Sequence, residues 1–309
     1  MPTPAPSPRD LHADVTRELI AAIERGTGTF VMPWHMDSAR LHLPINALTG
    51  KAYSGINILS LWIAARRSNF THPIWATYRQ WAECGAQVLK GERAVTVVFY
   101  KEHEAEPDPN DPKDTGRRRL ARASHVFNAE QVAGYLPATP SMPITTNGQL
   151  ERLEEVDRFI ETTEAKIRYS GDRAYYDPKS DLIQIPALEC FMGTTTSTVT
   201  ESFYSVAFHE LVHWSGARNR LDREFGERFG DHAYCAEELV AELGAAFLCA
   251  EFGITNVPRP DHAQYLTHWL GMFRQDSRAI FVAAARAAEA VRFLRSVDKP
   301  QGQIIGSPH

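Results

Sequence analysis

The sequence predicts an α+β protein of two domains, and three observations indicate it. The chain has 309 residues, more than a typical single domain, and 43% of them are hydrophobic, enough for two cores. A proline-rich run at residues 136–143 interrupts any periodic pattern and is typical of an extended linker. Helical and strand patterns occur on both sides of this run. We therefore expect a disordered tail at 1–8, domains at 9–135 and 149–297, a linker at 136–148 and a flexible tail at 298–309.

The N-terminal domain is predicted to contain both helices and strands. Amphipathic patterns predict helices at residues 9–25, 56–67 and 76–84. Apolar runs predict a buried strand at Ala94–Tyr100 and a second strand at Ala123–Phe127. Between the strands we expect a loop with a mobile tip, acidic from Glu102 to Asp114. The basic part of this loop consists of Arg117, Arg118, Arg119 and Arg122.

The C-terminal domain is predicted to begin with a hairpin and continue with helices. Residues 174–186 favour a hairpin, because Asp177-Pro178 opens a turn between two alternating apolar segments. A helix should begin after Thr198, where Glu201 completes a capping box, and end at Gly216. A second helix is predicted to carry the glutamates of an apolar run that continues to Phe252, and two more helices are predicted at residues 261–275 and 278–295.

Composition excludes several classes of protein. The N-terminus lacks the basic and apolar regions of a signal peptide, and no apolar run reaches transmembrane length, so we expect a cytoplasmic protein without a membrane partner. The four cysteines form no Cys-x-x-Cys pair, which argues against a zinc ribbon or a redox motif. Residues 1–135 hold 16 Lys and Arg against 14 Asp and Glu, whereas the remainder holds 17 against 24. Any contact with nucleic acid must therefore come from a local patch in the N-terminal domain.

The most specific motif is His-Glu-x-x-His, formed by His209, Glu210 and His213. On a helix the two histidines share one face, so that both imidazoles can bind one ion while Glu210 stands beside it. A catalytic zinc ion has three protein ligands and a water molecule whose pKa falls to about 7. Glu210 is then expected to accept the proton of that water and to donate it to the leaving amine.

The third ligand is expected from Glu238 or Glu242, which lie in an apolar run and share a helical face. Buried carboxylates are tolerated only where a metal or a hydrogen-bond donor compensates their charge. We assign Glu238 as the ligand and Glu242 as the acceptor of a hydrogen bond from a ligand histidine, although the two roles can be exchanged. The alternative is a chance motif with satisfied core histidines and a solvated cluster of glutamates.

Residue types also indicate a surface for single-stranded DNA. Arginines and lysines can follow a phosphate backbone, and aromatic rings can stack on unpaired bases. The alternative is that the tryptophans are core residues and the arginines are solvated. The candidates are Trp34, Lys51, Tyr53, Arg66, Arg67, Lys90, Arg93, Arg117, Arg118 and Arg119, with Trp75, Tyr78 and Trp81 as further stacking residues.

Several stretches together resemble the ArdC-type antirestriction proteins of conjugative plasmids and their relatives at the N-termini of plasmid primases. In the N-terminal domain they are Pro33-Trp34, residues 43–57, residues 75–85 and Lys90-Gly91-Glu92. In the C-terminal domain they are residues 209–216, 220–223 and 234–253. The resemblance implies an N-terminal domain that binds single-stranded DNA and a C-terminal metallopeptidase domain that is zincin-like and of the gluzincin type. The role that the resemblance implies for the protein is to protect incoming plasmid DNA from restriction.

The family pattern falls on His209 and His213 as ligands, Glu210 as catalytic carboxylate and Glu238 as third ligand. Glu242 stands where Asp is usual, so the assignment remains open to a shift of one helical turn. The expected cofactor is one divalent metal, zinc or alternatively manganese.

Two alternative functions remain open from the sequence. In the first, the protein is an active zinc metalloprotease that cleaves a host protein, and DNA binding localises it. In the second, it is a primase accessory or interaction module whose metal is structural. Under the antirestriction hypothesis, peptidase activity is not needed for DNA protection.

Overall fold

The computed structural model describes residues 11–26, 32–35, 42–104, 117–136, 152–192, 197–225, 232–255 and 262–297. The predicted tails, the tip of the acidic loop and nearly all of the predicted linker lie outside these residues. The chain divides into two compact units. Trp34 and His35 belong to the second unit, with residues 152–297, although they precede most of the first unit in sequence.

The described part of the N-terminal unit contains three helices and a mixed sheet, in agreement with the predicted class. The helices are α1 (Leu11–Gly26), α2 (Ile56–Ser68) and α3 (Tyr78–Glu83). The strands are β1 (Ile45–Asn46), β2 (Ile74–Thr77), β3 (Gln87–Val88), β4 (Val95–Glu104), β5 (Arg117–Asn128) and β6 (Val132–Ala133). Four of them form a sheet in the order β1-β2-β5-β4, in which β1 and β2 are parallel and the other neighbours antiparallel. Strands β3 and β6 form a separate antiparallel pair.

Helix α2 packs on this sheet, and a side chain of the helix also hydrogen-bonds the backbone of the edge strand β4. Its buried residue Leu61 lies in one cluster with Trp75 of β2 and Val97 of β4. The Asn57 amide accepts a hydrogen bond from the Val98 nitrogen at 2.7 Å and donates one to the Val98 oxygen at 2.8 Å. Both backbone groups of this edge residue are thereby satisfied without another strand.

Two predictions for the N-terminal domain are wrong at their boundaries. The expected loop is shorter, because β4 continues to Glu104 and β5 begins at Arg117. Arg117, Arg118 and Arg119 therefore lie on a strand, paired in order with Glu104, His103 and Glu102. The ladder continues through these polar residues because its hydrogen bonds join backbone groups, whatever the side chains. The expected helix at 76–84 begins later, because β2 ends at Thr77 and the Thr77 side chain caps α3.

Within its described residues, the C-terminal unit has five helices and a small sheet. The helices are α4 (Glu154–Thr162), α5 (Val199–Ser215), α6 (His232–Phe252), α7 (His262–Gln275) and α8 (Ala279–Val297). The strands are β7 (Lys166–Tyr169), β8 (Tyr175–Asp177) and β9 (Leu182–Ile185), in the order β7-β9-β8. The predicted hairpin is confirmed as the antiparallel pair β8 and β9. Of the helices in the described part of the chain, none combines the length and apolarity needed to cross a bilayer.

Helix α5, which carries the His-Glu-x-x-His motif, begins and ends where the sequence predicts. The Thr198 hydroxyl accepts a hydrogen bond from the Glu201 nitrogen at 3.2 Å, and the Glu201 carboxylate accepts one from the Thr198 nitrogen at 2.7 Å. The capping box is therefore confirmed, and Gly216 is the C-terminal cap. Arg220 then ties this end of the helix to the hairpin, since it hydrogen-bonds the Trp214 oxygen at 2.6 Å and Asp181 Oδ2 at 3.1 Å.

Helices α5 and α6 approach each other closely at Gly244. A Cβ atom at this position would lie 2.7 Å from Cγ2 of Val212, shorter than any normal contact. The absence of a side chain at Gly244 therefore permits the approach that brings the histidines of α5 next to the glutamates of α6.

We expect Gly244→Ala to destabilise the protein by about 1–3 kcal/mol, the usual effect of overpacking a core. The gain of about 1 kcal/mol that alanine brings to a helix interior places the net effect in the lower part of this range. Gly271→Ala in α7 is the matched control, because a Cβ there meets nothing within 4 Å. Urea unfolding should show opposite signs for the two variants, and a stabilising Gly244→Ala would contradict the close approach.

Candidate metal centre

The side chains of His209, His213 and Glu238 converge between α5 and α6. The two imidazole Nε2 atoms lie 3.1 Å apart. Glu238 Oε2 lies 3.5 Å from Nε2 of His209, and Glu238 Oε1 lies 3.5 Å from Nε2 of His213. Each residue thus presents one ligand atom, and these atoms lie within 4.8 Å of one another. We call this set the metal centre.

The geometry of the metal centre fits a divalent metal ion. Two nitrogen or oxygen ligands bound to one tetrahedral ion at 2.0–2.2 Å lie about 3.4 Å from each other. The separations of 3.1–3.5 Å are near this value, with one oxygen of Glu238 facing each histidine. Two imidazoles and one carboxylate are also a donor set typical of catalytic zinc.

Each histidine has a carboxylate near its second ring nitrogen. Glu242 Oε2 lies 3.8 Å from Nδ1 of His209, a charge contact longer than a hydrogen bond. Glu237 Oε1 lies 3.1 Å from Nδ1 of His213, within hydrogen-bonding distance. Glu237 thus accepts the hydrogen bond at His213, while the hydrogen bond expected at Glu242 stays a prediction. Such carboxylates fix the tautomer and the orientation of a ligand imidazole.

Arg223, which sequence reasoning gave no role, holds Glu237 in place. Its Nε donates to Glu237 Oε2 and its Nη2 to Glu237 Oε1, both at 2.9 Å. Its Nη1 donates to the Ser215 hydroxyl at 3.0 Å, and the side chain is almost fully buried. The guanidinium lies so close to Gly216 that a Cβ there would be 2.6 Å from Nη2. Gly216 therefore both ends α5 and leaves room for the buried ion pair.

Glu210 lies next to His209 on α5 and is only 2% exposed. Its side chain is thus buried on the helix that carries both ligand histidines. Its role as the catalytic carboxylate remains a prediction.

The charges of the metal centre shift its pKa values. Burial lowers the pKa of His213, but the carboxylates of Glu238 and Glu237 outweigh this effect and raise it to about 10. For Glu238, burial raises the pKa, and the imidazoles of His213 and His209 lower it well below the usual range. Without a metal, these groups therefore favour a protonated imidazole beside an ionised carboxylate.

We expect the metal-free protein to lose stability as the pH rises from about 6.5 to about 10. The pKa of His213 is higher in the folded state than its unfolded value of 6.5, so its contribution is complete below pH 6.5 and disappears through pH 10. The contribution of Glu238 is present above its ordinary pKa of 4.5 and is lost only on acidification. Urea unfolding with a chelator measures the effect, and zinc-saturated protein, whose ligand imidazoles are neutral, is the control. A stability that stays constant or rises over this range would contradict the charge pairing.

The structure separates the predicted DNA-binding residues into buried and exposed groups. Trp34 is 0% exposed and Tyr53 is 7% exposed, so neither ring has a free face on which a base could stack. Both predictions fail because these large rings fill the cores of their units. The same holds for Trp75 and Trp81. The basic candidates whose side chains the structure describes are all exposed: Lys51, Arg66, Arg67, Lys90 and Arg93.

The N-terminal unit exposes other aromatic rings instead. Tyr78, Phe99 and Tyr100 are between 47% and 54% exposed. Phe99 of β4 is paired with Arg122 of β5, which is also exposed. Sequence reasoning placed Phe99 and Tyr100 in a buried strand, because an apolar run does not show which end of the strand leaves the core.

Comparison with known families gives a match to each unit. The family described as the N-terminal domain of anti-restriction factor ArdC matches residues 9–127. The family described as zincin-like metallopeptidase matches residues 154–286.

Whole-chain relatives include proteins with and without an assigned role. The uncharacterized protein y4eC of Sinorhizobium fredii (strain NBRC 101917 / NGR234) is 41% identical over 308 residues, which cover 97% of each chain. Two sequences of DNA primase TraC from Escherichia coli are 32% identical to this chain. Their matches cover 96% of this chain but only 20% and 28% of the primases.

Two solved structures of the antirestriction ArdC protein from plasmid R388 also match. The metal-free structure is 34% identical, with a TM-score of 0.74, and the match covers 94% of this chain and 98% of that protein. The Mn(II)-bound structure is 33% identical, with a TM-score of 0.72, and the match covers 95% and 100%. Mn(II) therefore binds to a relative that is matched over all of the relative's length and 95% of this chain. The chain belongs to the family of ArdC-type antirestriction proteins, with an ArdC N-terminal domain followed by a zincin-like metallopeptidase domain.

Proposed function

We propose that this protein binds single-stranded DNA through its N-terminal unit and protects incoming plasmid DNA from host restriction in the cytoplasm. The observation that carries the proposal is the match to the R388 antirestriction protein over 98% of that protein's length. The C-terminal unit, in this proposal, holds one zinc ion on His209, His213 and Glu238.

The hairpin of β4 and β5 supports the DNA-binding part of the proposal. Proteins that bind single strands combine aromatic rings that stack on bases with cations that follow the phosphates. Phe99 and Arg122 provide one of each, on paired residues of neighbouring strands, and both side chains are exposed. We therefore assign base stacking to Phe99 in place of the buried Trp34 and Tyr53.

The chemistry proposed for the metal centre follows from its buried carboxylates. When bound, zinc supplies a Lewis acid and lowers the pKa of water to about 7. With zinc bound, Glu210 would be the residue that accepts a proton from water and returns it to the leaving amine. Glu237 orients His213 through a 3.1 Å hydrogen bond and thereby fixes which nitrogen faces the metal.

The number of ligands favours a catalytic over a structural metal. Structural zinc sites are closed by four protein ligands, whereas catalytic sites have three and an open position. Within the described residues, the group that could hold a metal has three members. This observation supports the second candidate function, an active metalloprotease that cleaves a host protein, more than a primase accessory module with a structural metal.

A salt titration of binding to single-stranded and double-stranded DNA tests the proposed function. The full-length protein should bind the single strand more tightly, and the logarithm of its affinity should fall linearly with the logarithm of salt concentration. Phe99→Ala should weaken binding by about 1–3 kcal/mol, the value of one stacked base. Tyr175→Ala, which removes an exposed ring from the C-terminal unit, is the matched control and should have no effect. If neither form of DNA is bound, DNA binding is refuted and the metalloprotease becomes the leading function.

A further inference from the structure

Trp34 and His35 lie beside the metal centre although they are far from it in sequence. They are separated from Glu242 by 208 and 207 residues. Both belong to the same compact unit as α5 and α6.

Both residues hydrogen-bond one oxygen of Glu242. Trp34 Nε1 lies 3.1 Å and His35 Nε2 lies 2.8 Å from Glu242 Oε1. An ionised carboxylate only accepts hydrogen bonds, so both nitrogens donate. The side chains of His35 and Glu242 are 2% and 3% exposed, which leaves little room for water to replace either donor.

The two bonds determine where the other oxygen of Glu242 points. A carboxylate group is planar and rigid, and two donors on Oε1 restrict its rotation. Oε2 is then directed towards Nδ1 of His209, at 3.8 Å. The opposite nitrogen of the same ring, Nε2, is the one that faces Glu238.

We propose that Trp34 and His35 are positioning residues of the metal centre, which hold Glu242 so that it orients the imidazole of His209. This inference rests on the proposed ligand set. It also means that the metal-binding unit is not continuous in sequence, because the domain predicted at residues 149–297 lacks two of the side chains that support its metal ligands.

The packing around Trp34 offers a matched control. The ring of Trp269 contacts the ring of Trp34 edge to face, with centroids 6.1 Å apart. Its Nε1 donates to the backbone oxygen of Cys235 at 2.9 Å rather than to Glu242. Trp34→Phe and Trp269→Phe therefore remove the same indole N–H from the same aromatic cluster, but only the first removes a hydrogen bond to Glu242.

Zinc affinity of the full-length protein, measured by competition with a chromophoric chelator, tests the inference. Groups that support metal ligands typically contribute 10–100-fold to metal affinity. We expect His35→Ala and Trp34→Phe each to weaken zinc binding about ten-fold, near the lower end of this range. His35→Gln, whose amide can donate from a similar position, should restore most of the affinity, and Trp269→Phe should leave it unchanged. The visible absorption of cobalt(II) bound in place of zinc should change in Trp34→Phe and remain unaltered in Trp269→Phe.

Zinc binding by the unmodified protein distinguishes a failure of this inference from a failure of the proposed metal centre. If it binds no zinc, both are refuted. If it binds zinc and the Trp34 and His35 variants bind equally well, the positioning role is refuted and the metal centre stands. An equal loss in Trp269→Phe would likewise refute the positioning role, because packing alone would then explain the effect. Thermal unfolding in a chelator identifies a variant that fails to fold. If His35→Ala fails to fold, the zinc affinity of Trp34→Phe, which keeps an aromatic ring in place, decides the test.

Discussion

Glu210→Gln is expected to slow peptide hydrolysis by about 10²–10⁴-fold, the usual contribution of a general acid–base group. The amide has nearly the shape of the carboxylate but cannot accept a proton at neutral pH. Zinc affinity should change little, because Glu210 is not among the three converging ligand groups. Hydrolysis of labelled casein by the zinc-loaded protein measures the effect. Glu251→Gln, on the exposed side of α6, is the control and should retain full activity.

The same variant distinguishes the two candidate functions. If DNA protection is independent of peptidase chemistry, Glu210→Gln should protect a plasmid from restriction as well as the unmodified protein. Loss of protection with the zinc still bound would contradict this account and favour cleavage of a host protein. If the unmodified protein hydrolyses nothing, the peptidase role is refuted, whereas the DNA-binding proposal is not affected.

Arg223→Ala is expected to destabilise the C-terminal unit by about 3–5 kcal/mol, the usual cost of breaking a buried ion pair from one side. The substitution removes both 2.9 Å hydrogen bonds to Glu237 and leaves that carboxylate buried without its cation. Glu237 would then hold His213 less firmly, so zinc affinity should fall as well. Urea unfolding in a chelator measures the stability, and competition with a chelator measures the affinity.

Two control variants test whether the loss of stability depends on burial and on the pairing of Arg223 with Glu237. Arg79→Ala breaks an ion pair with Glu83 on the surface, where the Arg79 side chain is 91% exposed, and should change stability little. A double variant that combines Arg223→Ala with Glu237→Gln should be less destabilised than the sum of the two single variants, since both remove one interaction. Strict additivity would show that Arg223 acts through packing alone.

Local patterns were sufficient to predict α5, its cap and the hairpin before it. Each depends on residues within a few positions of one another, such as Thr198 with Glu201. The spacing of Glu238 and Glu242 likewise placed both on the side of α6 that faces the histidines. Helical periodicity specifies which face is buried, and here that face carries the metal centre.

Contacts between distant residues were not predictable in the same way. The sequence shows that Trp34 is a large aromatic residue, but not that its partner lies 208 residues away. Arg223 follows α5 in a segment without periodicity, so nothing local pairs it with Glu237. The ends of β4 and β5 were also not predicted. Where a strand ends depends on how far it pairs with its neighbour, and the sequence of one strand does not show this.

Anomalous diffraction from crystals of the zinc-loaded protein would locate the metal and identify its ligands. We expect one zinc peak at about 2.0–2.2 Å from His209 Nε2, His213 Nε2 and a Glu238 oxygen. Glu242 should remain outside the coordination sphere, with its Oε1 held by Trp34 and His35. A peak bound to Glu242 instead of Glu238, or zinc at another place in the molecule, would contradict this assignment.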